Sequence, residues 1–211
     1  MLKDIKLGFK LLKYGYKLKL NVIMLVFFAI FGIASEIFSK GTSIIGGVYF
    51  MMSGMFTFQL IMSMDVSELI QSTSLKKKLQ IYIPVLASTV INLILFTIFV
   101  VERVVLIQMG VVDKTQIIYT LFMLDVILLI TYLYTSICYK YFVLGFILFM
   151  VMFMAAFMAL DNSAFMGFAD TIAALGLPVI ALFGYIAIFV GGALEILIGE
   201  LLYKKPLSEF A

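Results

Sequence analysis

IYIPVLASTVINLILFTIFVVERVVLI, residues 81–107, carries two charges, Glu102 and Arg103, in a run that is otherwise apolar or weakly polar. As a helix rising 1.5 Å per residue it would extend about 40 Å. That exceeds the roughly 30 Å of hydrocarbon in a bilayer. In lipid such a run must be helical, because a helix satisfies its own backbone hydrogen bonds. The flanks agree with a crossing, since Lys76, Lys77 and Lys78 precede the run and Lys114 follows it at a distance.

Five further apolar runs lie outward from this one, at 20–38, 43–64, 117–139, 141–160 and 174–198. The expected fold is therefore an all-α integral membrane protein with six transmembrane helices. Composition agrees. The chain has 211 residues, 64% hydrophobic and 13% charged, with mean hydropathy +1.20. A soluble domain is nearer half apolar and a quarter charged. The basic stretch before Leu20 is longer than the start of a usual signal peptide and further apolar runs follow, so the first span is read as uncleaved.

Fourteen of the fifteen basic residues are lysines, Arg103 being the exception, and they are placed unevenly. Lys3, Lys6, Lys10, Lys13, Lys17 and Lys19 precede the first span. Lys76, Lys77 and Lys78 fall between spans two and three, Lys140 between four and five, and Lys204 and Lys205 after six. These twelve share one side in a six-span arrangement, and Lys40, Arg103 and Lys114 share the other. The positive-inside rule then puts both termini in the cytoplasm, N-in/C-in. The lysine bias and the absence of His and Trp suggest an AT-rich bacterial genome, hence a multi-pass protein of the bacterial cytoplasmic membrane. The basic residues face a membrane surface, so a nucleic-acid partner is not expected.

Three parts follow: 1–19, a six-span domain at 20–200, and a cytoplasmic tail at 201–211. In the first, Lys3, Lys6, Lys10, Lys13 and Lys17 recur every three or four positions. Leu2, Ile5, Phe9, Leu12, Tyr16 and Leu20 fall on the opposite face. This pattern predicts an amphipathic helix in the interface, its ammonium groups near anionic lipid; the alternative is a soluble basic arm. Between spans two and three, Asp65 can cap a short helix with Glu68 in capping-box spacing. Ser74 can cap the next, and Pro84 is expected to kink that helix near the membrane surface. The sizeable outer connections are 108–116 and 161–173.

Several chemistries are excluded. Without His the chain cannot build a His-dependent intramembrane protease or a Glu/His metal site, and no metal ligands are expected. It lacks a Walker-type phosphate loop. Its one cysteine, Cys138, cannot form a redox pair. A catalytic role is not expected, and no residue is assigned as catalytic.

Polar groups within the spans are the remaining candidates. Asp125 falls about eight residues into span four, roughly 12 Å deep, where a carboxylate is costly and usually faces protein or water. Glu102 and Arg103 reach a comparable depth in span three. The expectation is an Arg103–Asp125 ion pair pinning the two helices. The alternatives are a substrate-pathway or proton-relay carboxylate, or a neutral, hydrogen-bonded acid. Gln59 and Asn92 can hydrogen-bond between helices. Ser53/Thr57, Ala155/Ala159 and Ala187/Gly191 give small-residue spacings for close helix contact, or for a dimer face. Glu200 and Lys204 have the spacing of a surface pair.

The order of these parts resembles the membrane subunit of small ABC-2 type ABC exporters across nearly the whole chain. The likeness rests on the basic entry helix and two spans, then Ser67-Glu68-Leu69-Ile70-Gln71-Ser72-Thr73-Ser74-Leu75-Lys76-Lys77-Lys78, and on the basic exit Leu201-Leu202-Tyr203-Lys204-Lys205-Pro206-Leu207. The resemblance implies a permease without its own ATPase. Residues 1–19 would be its elbow helix and 65–74 its coupling helix, with Asp65, Ser67, Glu68, Leu69, Ile70, Gln71 and Ser72 against the ATPase. The implied partners are an ABC ATPase subunit holding ATP and Mg, and a second copy or paralogue of the permease. The implied cargo is hydrophobic or amphipathic: a peptide, a bacteriocin or a drug. Two other functions fit a small polytopic chain. One is an ATP-independent membrane immunity protein. The other is the substrate-binding membrane subunit of a vitamin importer, which needs a polar pocket that the outer residues Asp161, Asn162, Ser163 and Asp170 scarcely supply.

Overall fold

The structure, a computed structural model, describes residues 18–42, 44–49, 52, 77–110, 112–138, 141, 143, 144, 147, 148, 150–152, 154, 155 and 163–203. Among these, all regular structure is helical: α1 (Leu18–Ser39), α2 (Ile83–Met109), α3 (Lys114–Cys138), α4 (Ser163–Leu175) and α5 (Leu177–Tyr203). Four helices contain stretches long and apolar enough to cross a membrane: Val22–Ser39, Ile83–Met109, Lys114–Ile137 and Leu177–Tyr203. The chain is thus a helical, multi-pass type of membrane protein. The entry helix expected at 1–19, apart from its last two residues, most of the run expected at 43–64, half of that expected at 141–160 and the short helix expected at 65–74 lie outside the described residues.

Local sequence explains where the helices begin and end. A π-helical turn, Lys78–Tyr82, leads into α2, and the Ile83 N–H bonds to Lys78 O. Pro84 follows at the first turn of α2. Proline has no N–H to donate, and its ring crowds the carbonyl four residues back. The wider turn meets that constraint, so the disturbance expected at Pro84 takes the form of a π turn just before it. After α1 the chain closes a Schellman-type cap, with Gly41 N–H on Glu36 O at 3.2 Å and Lys40 N–H on Ile37 O at 3.3 Å.

Helix α4 was not expected, because 161–173 reads as a connection by its polar start. Its apolar positions nevertheless follow helical spacing. Ala169 and Ile172 are buried, and Phe168 meets Phe122 of α3 edge-on at 6.1 Å. A break at Gly176 separates α4 from α5, so the last span starts at Leu177 rather than 174.

Helix α3 is the centre. Of its spanning part 78% is buried, against 39% for α5, 22% for α2 and 11% for α1. Neighbouring residues give the helix directions. Gly184 abuts Asp125 and Gly191 abuts Tyr132, so α5 runs parallel to α3. Gly184 also abuts Phe96, and Gly199 abuts Ile81, so α5 runs antiparallel to α2. After α1 the chain reverses: Gly46 lies against Glu36, and the Tyr49 ring meets Phe31 at 5.0 Å and Phe28 at 5.9 Å. Gln116 bonds to Thr42 O, and Gly47 abuts Leu124, so the returning segment follows the direction of α3 and α1 follows that of α2.

The small residues of α5 face inward. Ala181, Gly184, Ala187, Gly191 and Gly192 are buried, and Ile186, Phe189, Val190 and Leu197 are exposed. The close contact expected from Ala187 and Gly191 is therefore made within the chain. With no water to exclude between helices in lipid, tight backbone approach supplies the packing attraction.

Candidate functional site

The interior of the bundle holds polar groups at three levels along α3. The first joins four segments near the C-terminal end of α2. Arg103 Nη2 donates to Glu36 Oε2 at 2.8 Å, and Nη1 donates to Gly41 O at 2.7 Å. The other Glu36 oxygen accepts the Gly47 N–H at 2.8 Å. Thr120 Oγ1 of α3 lies 3.3 Å from Gly41 O, and the guanidinium carbon stands 4.6 Å from the centroid of Phe99. Side-chain exposure of Arg103 is 0% and of Glu36 2%, so both charges are taken fully out of solvent and depend on each other. Gly41 has φ +75, and a β-carbon there would overlap the guanidinium. The turn thus needs glycine both for its backbone and for the approach of Arg103.

Arg103 therefore pairs with Glu36 and not, as expected, with Asp125. The fork of the guanidinium is filled by a carboxylate and a carbonyl from the α1 hairpin, which comes closer to that end of α2 than the middle of α3 does. Glu102 is half-buried on the same turn, with Oε1 lacking a hydrogen-bond partner among the described residues.

Asp125 forms the second level, about 7 Å along α3 from Thr120 at 1.5 Å per residue. It is 4% exposed, and neither carboxyl oxygen has a hydrogen-bond partner among the described residues. Its Oδ1 lies against the backbone of Gly184, beside the Phe96 ring.

The third level lies about 10 Å further along α3. Asn92 Nδ2 of α2 donates to Tyr132 OH of α3 at 3.0 Å, which fulfils the expected interhelical role of Asn92. Glu195 of α5 is 4% exposed and in hydrogen-bonding contact with Thr135, while its Oε2 has no partner among the described residues. The expected last span, 174–198, puts Glu195 near its end. Helix α5 continues to Tyr203, which moves that residue inward.

At the end where α2 begins, Lys77 Nζ donates to Glu200 Oε1 at 2.9 Å, and Tyr82 OH donates to the same oxygen. This hydrogen bond holds the Lys77 ammonium above the usual lysine range. Glu200 thus has a partner on another helix, and Lys204 lies outside the described residues. So do Gln59, the residues Lys3, Lys6, Lys10, Lys13 and Lys17 expected at the membrane surface, and Asp65, Ser67, Glu68, Leu69, Ile70, Gln71 and Ser72 of the segment expected to meet an ATPase.

Sequence reading missed Glu36. A lone carboxylate within an apolar run was the available signal, masked by its nearness to Lys40 and the end of the span. Among the described residues, the arrangement holds one buried ion pair and a separate buried carboxyl group inside a helical bundle. The chain matches no protein-family model, no curated protein and no solved structure.

Proposed function

We propose that the chain is the membrane-spanning subunit of an ATP-driven exporter of the ABC-2 type. In this reading it crosses the bacterial cytoplasmic membrane six times with both termini inside, and it moves a hydrophobic or amphipathic cargo. A separate ABC ATPase subunit binds ATP and Mg, and a second copy or a paralogue completes the pathway. The observation that carries the transport reading is Asp125. Its expected partner is engaged by Glu36, which leaves a buried carboxyl group in the middle of a spanning helix. Ionisable groups in such positions mark substrate and ion pathways.

The helix directions support six crossings. Helices α1 and α2 run one way and α3 and α5 the other, so the chain has to return once between α1 and α2, as it begins to do after Gly41, and once between α3 and α5. Charge placement supports the orientation. Arg103 is buried in an ion pair, which leaves Lys40 and Lys114 as surface cations at the outer end among the described residues, against Lys19 at the start of α1 and Lys77 and Lys78 just before α2 at the other. The ATPase would close on nucleotide and drive the spans through residues 65–74, a switch between two packings of the same helices.

The test is gentle purification of the tagged chain from its native membrane, with bound proteins identified by mass spectrometry. A stoichiometric P-loop ATPase is expected, and Glu68→Lys should release it without loss of membrane insertion. A chain recovered alone from several detergents would favour an ATP-independent immunity protein instead.

A further inference from the structure

The Asp125 carboxyl group is enclosed by three helices, and each supplies an apolar or engaged neighbour. Helix α2 presents the Phe96 ring and α5 the Gly184 backbone. The titratable and charged groups on the surrounding elements have other positions or partners. On α2, Arg103 is bound to Glu36, and Glu102 stands with it about 10 Å further along the helix. On α5, Tyr185 OH is 3.1 Å from Thr97 Oγ1, and Glu195 is about 16 Å beyond Gly184. On α3 itself, Tyr119 is buried with its hydroxyl unpartnered among the described residues, and Tyr132 is bonded to Asn92. Tyr49 stacks on Phe28 of α1, and Asp170 of α4 is exposed.

Among the described residues, an ionised carboxylate at this position has neither a counter-charge nor a donor, a cost of several kcal/mol that a buried group avoids by taking up a proton. A metal ion does not fit as an alternative, because hard cations need several oxygen ligands and one carboxyl group supplies two. An ammonium-bearing ligand does not fit the closed interface, in which Gly184 is pressed against Oδ1. A proton needs no room.

We propose that Asp125 is a proton-binding site: its carboxyl group carries a proton while α3 and α5 are packed together, and gives that proton to water when they part. The O–H bond of the acid breaks, a water molecule takes up the proton, and the carboxylate left behind is solvated in the opened interface. Closure reverses each step. Any cycle that opens this interface therefore exchanges one proton per turn at this residue. The site goes beyond the exporter reading and does not depend on an ATPase partner.

Infrared spectroscopy of the full chain in lipid nanodiscs tests the bound state, with the proton itself as the probe. The expected spectrum has a protonated-acid C=O band from mildly acidic to mildly alkaline pH. The band should move on labelling aspartate with 13C at the side-chain carboxyl, disappear in Asp125→Asn, and persist in Glu195→Gln. The labelling needs no substitution, so it holds even if the variant folds poorly. Absence of an aspartic-acid band from the wild-type spectrum would overturn the assignment. Amide hydrogen exchange, corrected for intrinsic rate, tests release: protection of α3 and α5 should fall as pH rises in the wild type and stay level in Asp125→Asn. Protection independent of pH in the wild type would overturn the linkage.

Discussion

Glu36 and Arg103, 67 residues apart in the chain, bring a carboxylate oxygen and a guanidinium nitrogen to 2.8 Å with both side chains buried. The contact fixes the α1 hairpin to the end of α2. Removing one partner strands the other charge, which in buried pairs costs about 3–5 kcal/mol. Arg103→Ala and Glu36→Ala should each lower thermal stability in detergent by an amount of that order. The double replacement Glu36→Ala with Arg103→Ala should cost clearly less than the sum. Additive losses in this cycle would show that the two residues do not act as a pair.

Gly184 offers a separate test of helix packing. A β-carbon there would overlap the Phe96 ring and Asp125 Oδ1. Gly184→Ala should destabilise the chain by about 1–3 kcal/mol, as overpacking does, even though alanine is the better helix former. The control is Ala193→Gly, at an exposed position of the same helix, where glycine should cost up to about 1 kcal/mol in helix propensity. Unfolding by a denaturing detergent would rank the two. A Gly184→Ala protein more stable than wild type would mean that α5 stands further from α2 and α3.

Much of this fold is legible in the apolar runs. Four of the expected spans correspond to described helices, because length and hydropathy suffice where lipid forces helical structure. Helix α4 escaped because Asp161, Asn162 and Ser163 signal a turn, and a helix of 13 residues from Ser163 is too short to read as a crossing. The polar site was legible in part. Depth along a helix follows from counting, so Asp125, Glu102 and Arg103 stood out as intramembrane groups. Pairing does not follow from counting. It depends on which helix ends meet, and the reversal after Gly41 brings Glu36 to Arg103 from outside that set. The interior place of Glu195 similarly depends on how far α5 continues.

A side-chain hydrogen bond joins Asn92 of α2 to Tyr132 of α3 at the third level of the bundle. Interhelical bonds of this kind are worth about 0.6–2 kcal/mol in membranes. Tyr132→Phe removes the hydroxyl and keeps the ring against Gly191, so its loss should fall in that range. Asn92→Leu should lose a similar amount, and the two together little more than either alone. A Tyr132→Phe loss much larger than the Asn92→Leu loss would assign the hydroxyl to further partners, with Thr89 the first to examine.

Lys77 and Glu200 join the starts of α2 and the last turn of α5 through an exposed contact, with side-chain exposures of 44% and 39%. Solvent screens such a pair, so Lys77→Ala should leave thermal stability at neutral pH unchanged within error. The pH dependence has a defined sign. The hydrogen bond to Glu200 raises the lysine above its ordinary 10.5 in the folded chain. Whatever the pair contributes is then fully present below 10.5 and is lost as pH rises through the folded value. Wild type and Lys77→Ala should therefore have stability profiles that coincide within error around neutral pH, and any small excess of the wild type should vanish in strong alkali. A divergence near neutrality would place the coupling on another titrating group at that end of the bundle.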